Sequence, residues 1–329
     1  MSHLSRKIGS SFRHVLAVSC VLGLCASGNA RAGEALALRP LFSTAIERSG
    51  RSFLSPQGLA FDPSRSELYV ADTGNSRVVV LSKSGLVLHA YEHWVRDASG
   101  EVILGEPGAV LPMPGGKLAL SDRMSDRVDM LDYRGGIVHS IDVTAALGSK
   151  ERAHPGRLDR DSDGNLYVVE HSTAKILVFD SRGKLLRSFG GRGKSAGQFA
   201  KVADVAVGED GTTYVLDSTG TPAVTAFGGE GEWLFGFGRH GNKPENVHLP
   251  VALTIDGEGR IWVADAFSHE LKAYTAKGDH LATFGRPGDG QGELYFPSDV
   301  VAFADVLYVL EKGGRRIQAF HIETTQSSP

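Results

Sequence analysis

Residues 159–170, DRDSDGNLYVVE, set Asp159, Asp161 and Asp163 at alternate positions, follow with Gly164 and end on Glu170. Oxygen ligands in that order spell the twelve-residue loop of a helix–loop–helix calcium hand. His154, His171, His240, His248 and His269 are the other groups suited to metal or acid–base chemistry. Of these, His154 and His171 join Glu170 in a conceivable site for a divalent metal. No two of the five stand at i,i+2 or i,i+4 spacing, so surface histidine is the competing reading. Both cysteines, Cys20 and Cys25, fall in the first 32 residues, so no thiol nucleophile is expected in the remainder. No cofactor is expected beyond that conceivable metal.

The elements that must position these groups decide what they can do. Short strand-like runs ending in an acid recur as YVAD to Asp72, ALSD to Asp122 and YVVE to Glu170. They continue as YVLD to Asp217, WVAD to Asp265 and YVLE to Glu311, at spacings of 50, 48, 47, 48 and 46 residues. A fixed period of that length marks a repeat architecture. Each unit opens with an apolar stretch about fifteen residues before its acid, as in PQGLAFD or PSDVVAF. A Gly/Asp/Ser turn, the run to the acid, a third strand such as KILVFD and a fourth such as KLLRSFG follow. Four such runs make an antiparallel meander. One meander cannot cover both of its faces, whereas six arranged radially cover one another.

The expected fold is therefore all-β, a six-bladed β-propeller of four-stranded antiparallel blades. The sixth unit stops after its third strand, and residues 35–45, ALALRPLFSTA, have the character of a fourth. That N-terminal strand should complete the last blade and leave no open seam. The expected layout is an export signal over 1–32, the closing strand and its link over 33–50, the propeller over 51–325 and a polar tail over 326–329. The calcium spelling then dissolves. DSDGN is the turn between a first and a second strand, and Glu170 is the third of six equivalent acids.

First strands line the axis of a propeller, so their opening residues meet at one mouth of the central tunnel. The polar ones are Gln57, Arg157, Asp204, Ser298 and Asp299. Such a set could bind a small ligand or a cation; the competing reading is that Asp204 and Asp299 bond backbone N–H groups at strand starts. The six acids suggest a structural task, holding the turn that follows each of them. The glycine-rich runs 190–198 and 285–293 precede no helix and read as connectors between units. The loops 92–105, 145–154, 191–199, 237–248 and 285–294 are the segments that the repeat constrains least.

PQGLAFDPSRSELYVADTGNSRVVVLSKSGLVL and FGRPGDGQGELYFPSDVVAFADVLYVLEKGGRRIQAF resemble the NHL repeat. The marks are Pro-x-[GD] opening the first strand, the Y-V-A-D run, D-x-x-N-x-R after it, and an F-G-x-x-G-x-G link. The resemblance covers roughly residues 51–322. It implies a protein-binding platform, an RNA reader or a metal-dependent lyase acting on peptidyl-α-hydroxyglycine. In such lyases the metal histidines follow the proline of the first strand. Those positions here are Gln57, Gly108, Gly156, Ala203, Val251 and Ser298, none of them histidine.

Bulk properties narrow the partners. Residues 1–32 carry Arg6, Lys7 and Arg13, then an apolar run from Val15 to Leu24, then Ala30-Arg31-Ala32. That is the plan of an export signal cut after Ala32, and ten apolar residues are too few to cross a core of roughly 30 Å. Its removal takes four bases and no acid, shifting the formal charge from −3 to −7. An acidic chain disfavours nucleic acid as partner. The expected function is an exported, monomeric scaffold for a protein or peptide on the loop face, with no membrane span in the mature chain. The alternative is a metal-assisted lyase or hydrolase at the tunnel mouth.

Overall fold

A computed structural model of the chain describes residues 34–45, 51–97 and 99–326. The segment read as an export signal lies outside the described residues. Six four-stranded sheets follow one another along the chain. Blade 1 runs Gly58–Asp62, Glu67–Asp72, Arg77–Ser82 and Val87–Glu92. Blade 2 runs Pro107–Met113, Lys117–Asp122, Arg127–Leu131 and Ile137–Asp142, and blade 3 Pro155–Arg160, Leu166–Glu170, Lys175–Phe179 and Leu185–Gly190. Blade 4 runs Val202–Val207, Thr213–Asp217, Val224–Phe227 and Trp233–Phe237, and blade 5 Pro250–Ile255, Ile261–Asp265, Glu270–Tyr274 and His280–Phe284. Blade 6 has Pro297–Phe303, Val306–Glu311 and Arg316–Gln326, with Glu34–Thr44 as its outer strand. The first strand of each blade touches the first strands of both neighbours, so the six close into a ring.

The core is divided into six apolar layers, each shared by two adjacent blades. Leu68, Val70 and Val79 of blade 1 pack on Leu310 and Ile317 of blade 6. Tyr167, Val169 and Ile176 of blade 3 meet Val202, Val215 and Phe227 of blade 4. Second and third strands are buried along almost their whole length, so they read as continuous apolar runs rather than alternating ones. Fourth strands are half-exposed and alternate. The turn between third and fourth strands places glycine at φ 82°, 84°, 79°, 86° and 90° in blades 1 to 5 (Gly85, Gly135, Gly183, Gly231, Gly278), where a Cβ would strain the backbone.

The ring is thus a six-bladed β-propeller, and the DSDGN segment is a hairpin turn within it. Asn165 donates from its backbone N and Nδ2 to the two oxygens of Asp161, each at 2.8 Å. Two loops differ from expectation. Link 92–105 folds into an extra hairpin, Trp94–Arg96 against Val102–Leu104. Link 145–154 begins in a short helix, Val143–Leu147, because Asp142 caps it by accepting from Ala145 N at 2.8 Å. The third strand of blade 6 also runs on to Gln326 and so reaches into the segment expected to be a tail.

Closure rests on a ladder from Glu34↔Gln326 to Thr44↔Ile317, with a bulge between Pro40 and Phe42. Leu38 lies in the apolar layer between blades 5 and 6. Deleting residues 34–44 bares an eleven-residue edge and removes that packing. Such a chain should lose several kcal/mol of stability, seen as a lowered melting temperature; an unchanged one would count against closure by this strand.

Candidate functional site

The face where first strands begin and second strands end is fastened by the six acids. Asp72, Asp122, Glu170, Asp217, Asp265 and Glu311 are all 2% exposed or less. In five blades the carboxylate accepts from the link entering the first strand. The donors are Leu54 N (2.7 Å), His154 N (2.9 Å), Ala200 N (2.6 Å), Leu249 N (3.0 Å) and Tyr295 N (2.8 Å). The remaining valences serve the turn that follows. Glu170 accepts from Ser172 N, Thr173 N and the Thr173 hydroxyl at 2.9, 2.8 and 2.5 Å. Burial opposes its charge, but these bonds with that from His154 hold its pKa below the ordinary value. Blade 2 departs from this scheme. Asp122 Oδ2 has no hydrogen-bond partner and faces the buried His93 Nε2 at 3.8 Å, and that nitrogen faces Asp129 Oδ2 at 3.4 Å.

Arg157 bars the tunnel. Its Nη1 pairs with Asp299 Oδ2 and its Nη2 donates to the Ser298 carbonyl at 2.6 Å. Asp299 Oδ2 also accepts from Leu59 N (2.6 Å) and Oδ1 from Val300 N (2.9 Å). Asp204 bonds Leu253 N and Val205 N, each at 2.9 Å. Both aspartates therefore staple the first strand of one blade to the next, as the backbone-bonding reading expects. Asp159 does the same between blades 3 and 4 through Val207 N at 2.7 Å. Burial pushes Asp204 up to about 7, with Arg157 opposing. Burial also pushes Asp159 up to about 6 and raises Asp299. Burial disfavours the Arg157 cation, but Asp299 and Asp204 outweigh it and hold its pKa above the ordinary value.

Two chambers result. The one at the mouth, about 400 Å³, is lined by Gln57, Ser121, His154, Gly156, Arg157 and His171. The other, about 420 Å³, opens where first strands end and contains Asp159, Asp204 and Asp299 below the same Arg157. The polar set expected at one mouth is thus split, with only Gln57 and Arg157 facing the loop side. Ser298 bridges blades, its hydroxyl on the Pro56 carbonyl at 3.0 Å. His154 and His171 do meet at the mouth. The His171 ring lies against Gly156, where a Cβ would come 2.2 Å from Nε2, and burial depresses its pKa. Glu170 sits behind them with its oxygens occupied. Among the described residues no group of three or more His, Cys, Asp or Glu is placed to hold a metal ion. His240 and His248 tie loops together through the Gly220 carbonyl and Ser268.

One part of this face escapes sequence reasoning. Leu54, Leu249, Phe267, Tyr295 and Phe296 are 39%, 38%, 66%, 41% and 41% exposed, and all lie in its links and turns. The available signal is a bulky residue where another unit uses a turn former, FPS at 296–298 against SPQ at 55–57. The link after blade 3 also contains Gly193–Gly197, G-x-S-x-G, the spelling of a nucleophile elbow. Ser195 lies in a turn there, its N–H on Gln198 Oε1 at 3.2 Å, without the strand-to-helix elbow that presents a nucleophile.

Fold and face define a closed six-bladed propeller with a plugged tunnel and a loop-side funnel. An NHL repeat model matches residues 53–81, and a six-bladed β-propeller model matches 155–226. Protein brain tumor of Drosophila melanogaster is 24% identical over 139 residues, 42% of this chain and 12% of that protein. The chain therefore spans about an eighth of the length of the curated relative it matches. Virginiamycin B lyase from Staphylococcus aureus superposes with a TM-score of 0.59 at 11% identity, covering 88% of this chain and 99% of that one. A gluconolactonase from Xanthomonas campestris gives 0.61 at 15%, covering 91% and 94%. At these identities the shared feature is the fold.

Arg157→Met leaves two buried carboxylates without their cation and should cost about 3–5 kcal/mol, measured by denaturant unfolding. Asp204 carries a pH signature. Its folded pKa lies above the ordinary 3.8, so between roughly pH 4 and 7 the folded state holds a proton that the unfolded chain has released. This group therefore makes the fold less stable as pH rises through that window. Asp204→Asn should remove the slope, so that variant-minus-wild-type stability moves in the variant's favour from pH 4 to pH 7. A pH-independent difference would show that Asp204 is ionised throughout.

Proposed function

We propose that this chain is an exported, monomeric binding scaffold that engages a protein or peptide through the loop face of its propeller. The observation that carries this reading is the exposure of Leu54, Leu249, Phe267, Tyr295 and Phe296 in the links and turns of blades 5, 6 and 1, which adjoin in the ring. Large apolar side chains grouped on one face, rimmed by polar loops, are what interaction sites display. Export is proposed from the sequence of residues 1–32 and predicts a mature chain beginning at Gly33, read by N-terminal sequencing of the secreted or periplasmic protein.

A second reading, a lyase or hydrolase assisted by a metal, is favoured by the funnel chamber with its two histidines and Arg157. It is favoured also by the fold shared with a lyase and a gluconolactonase. Metal analysis of the purified mature chain, with melting in the presence and absence of a chelator, separates the two. Binding is expected to go with melting that ignores the chelator; a stoichiometric, chelator-sensitive ion would promote the enzyme.

The binding reading is tested with a twelve-residue peptide library displayed on phage and selected on the immobilised mature chain. Selected peptides should bind at least about tenfold more weakly to a Leu249→Asp/Phe267→Asp variant. They should bind equally to Leu88→Asp, a change on an exposed outer strand. Equal binding to all three proteins would sink the loop-face assignment.

A further inference from the structure

Resting on that reading, we infer that the sector of the rim between blades 5 and 6 recognises an acidic peptide. An apolar side chain of the peptide seats on the Tyr295–Phe296–His269 cluster, and its carboxylates meet Lys312 and Arg315.

The cluster is built, not incidental. Phe296 has φ 50°, and Ser55, which holds the same place before the first strand of blade 1, has φ 48°. The corresponding Glu106, His154, Lys201 and Leu249 are not left-handed, so blades 1 and 6 share a local conformation here that bulky side chains disfavour. Blade 6 nevertheless places phenylalanine there and leaves it 41% exposed, so the ring returns little burial for the strain. His269 is also left-handed, at φ 60°, and its Nδ1 accepts from Phe296 N at 2.9 Å, which leaves the ring proton on Nε2. The His269 ring stacks on Tyr295 at 5.4 Å and 8°, and meets Phe296 edge-on at 4.5 Å. Tyr295 and Phe296 lie 5.0 Å apart at 69°. Beneath them Gly313 makes room, since a Cβ there would come 2.7 Å from Tyr295 Cδ1 and 3.0 Å from Phe296 Cδ2.

Charge selects the partner. Lys312 and Arg315 flank Gly313 and are exposed, and Lys312 N bonds the Phe296 carbonyl at 2.9 Å. The acid of their turn, Glu311, is buried and occupied by Tyr295 N, Arg316 and Gln318. Glu293, in the link leading to Tyr295, is taken by Arg286 at 2.8 Å. Asp289 alone of that link's acids stands against the two cations, so the sector is net positive although the mature chain is net acidic. An apolar seat beside unmatched cations suits a hydrophobic anchor flanked by carboxylates.

The phage-selected peptides, synthesised with a fluorophore, are the probe, read by anisotropy against the mature chain. They should combine an aromatic or leucine with neighbouring Asp or Glu, and bind more weakly as salt rises. Phe296→Ser installs the residue that blade 1 uses, so the fold should stand and affinity should fall at least about tenfold. Lys312→Glu/Arg315→Glu should weaken binding likewise and flatten its salt dependence. This second variant decides the matter if the first melts early. Selected peptides without acids, or affinities unchanged in both variants while Leu249→Asp/Phe267→Asp abolishes binding, would overturn the sector and leave the loop-face reading intact. A library that yields nothing above background removes both.

Discussion

A carboxylate at the end of each second strand fastens the propeller. Each is buried, and an unpaired buried charge is costly, so most collect N–H donors from two directions, and Asp72 and Glu311 also pair with Arg77 and Arg316. Some come from the turn that follows, and in five blades another comes from the link arriving from the previous blade. The same bonds that satisfy the acid therefore set where one blade hands over to the next. Glutamate serves in blades 3 and 6 as well as aspartate, because the task is to present oxygens to backbone N–H groups. Asp122 differs in one respect: its Oδ2 faces the buried His93 Nε2 at 3.8 Å and is left without a hydrogen bond.

A second set of staples works on the axis. Asp159, Asp204 and Asp299 each reach across to the first strand of the neighbouring blade. That solution crowds acids into the tunnel, and Arg157, whose charge acts on Asp204 and Asp299, stands between two chambers. The plug is thus a consequence of how the inner strands are joined, and Arg157 lines the chambers on both sides of it.

The rim, where the propeller is free to vary, is asymmetric. Blades 2 and 3 contribute Arg123, His154 and His171, whereas blades 5 and 6 contribute Leu249, Phe267, Tyr295 and Phe296. Left-handed backbone before the first strand occurs at Ser55 and Phe296 but not at Glu106, His154, Lys201 or Leu249, so it is a local feature of blades 1 and 6 and not a demand of the architecture.

The fold, its six units, the closing role of residues 35–45 and the collapse of the calcium spelling into a hairpin turn were legible in the sequence. Periodicity and turn chemistry are local, and a repeat states them six times over. The structural task of the six acids was legible for the same reason, although their bond to the incoming link was not. What only the folded ring decided is which residues share a space. Arg157 and Asp299 are 142 residues apart and form one ion pair, while of the five polar residues expected at one mouth Gln57 lines the loop-side chamber, Asp204 and Asp299 the other, Arg157 both and Ser298 neither. The aromatic sector of the rim arises where the link into blade 6, with Tyr295 and Phe296, meets the turn of blade 5 that holds His269. No spacing rule reaches from Arg157 to Asp299, because that contact exists only after the ring has closed.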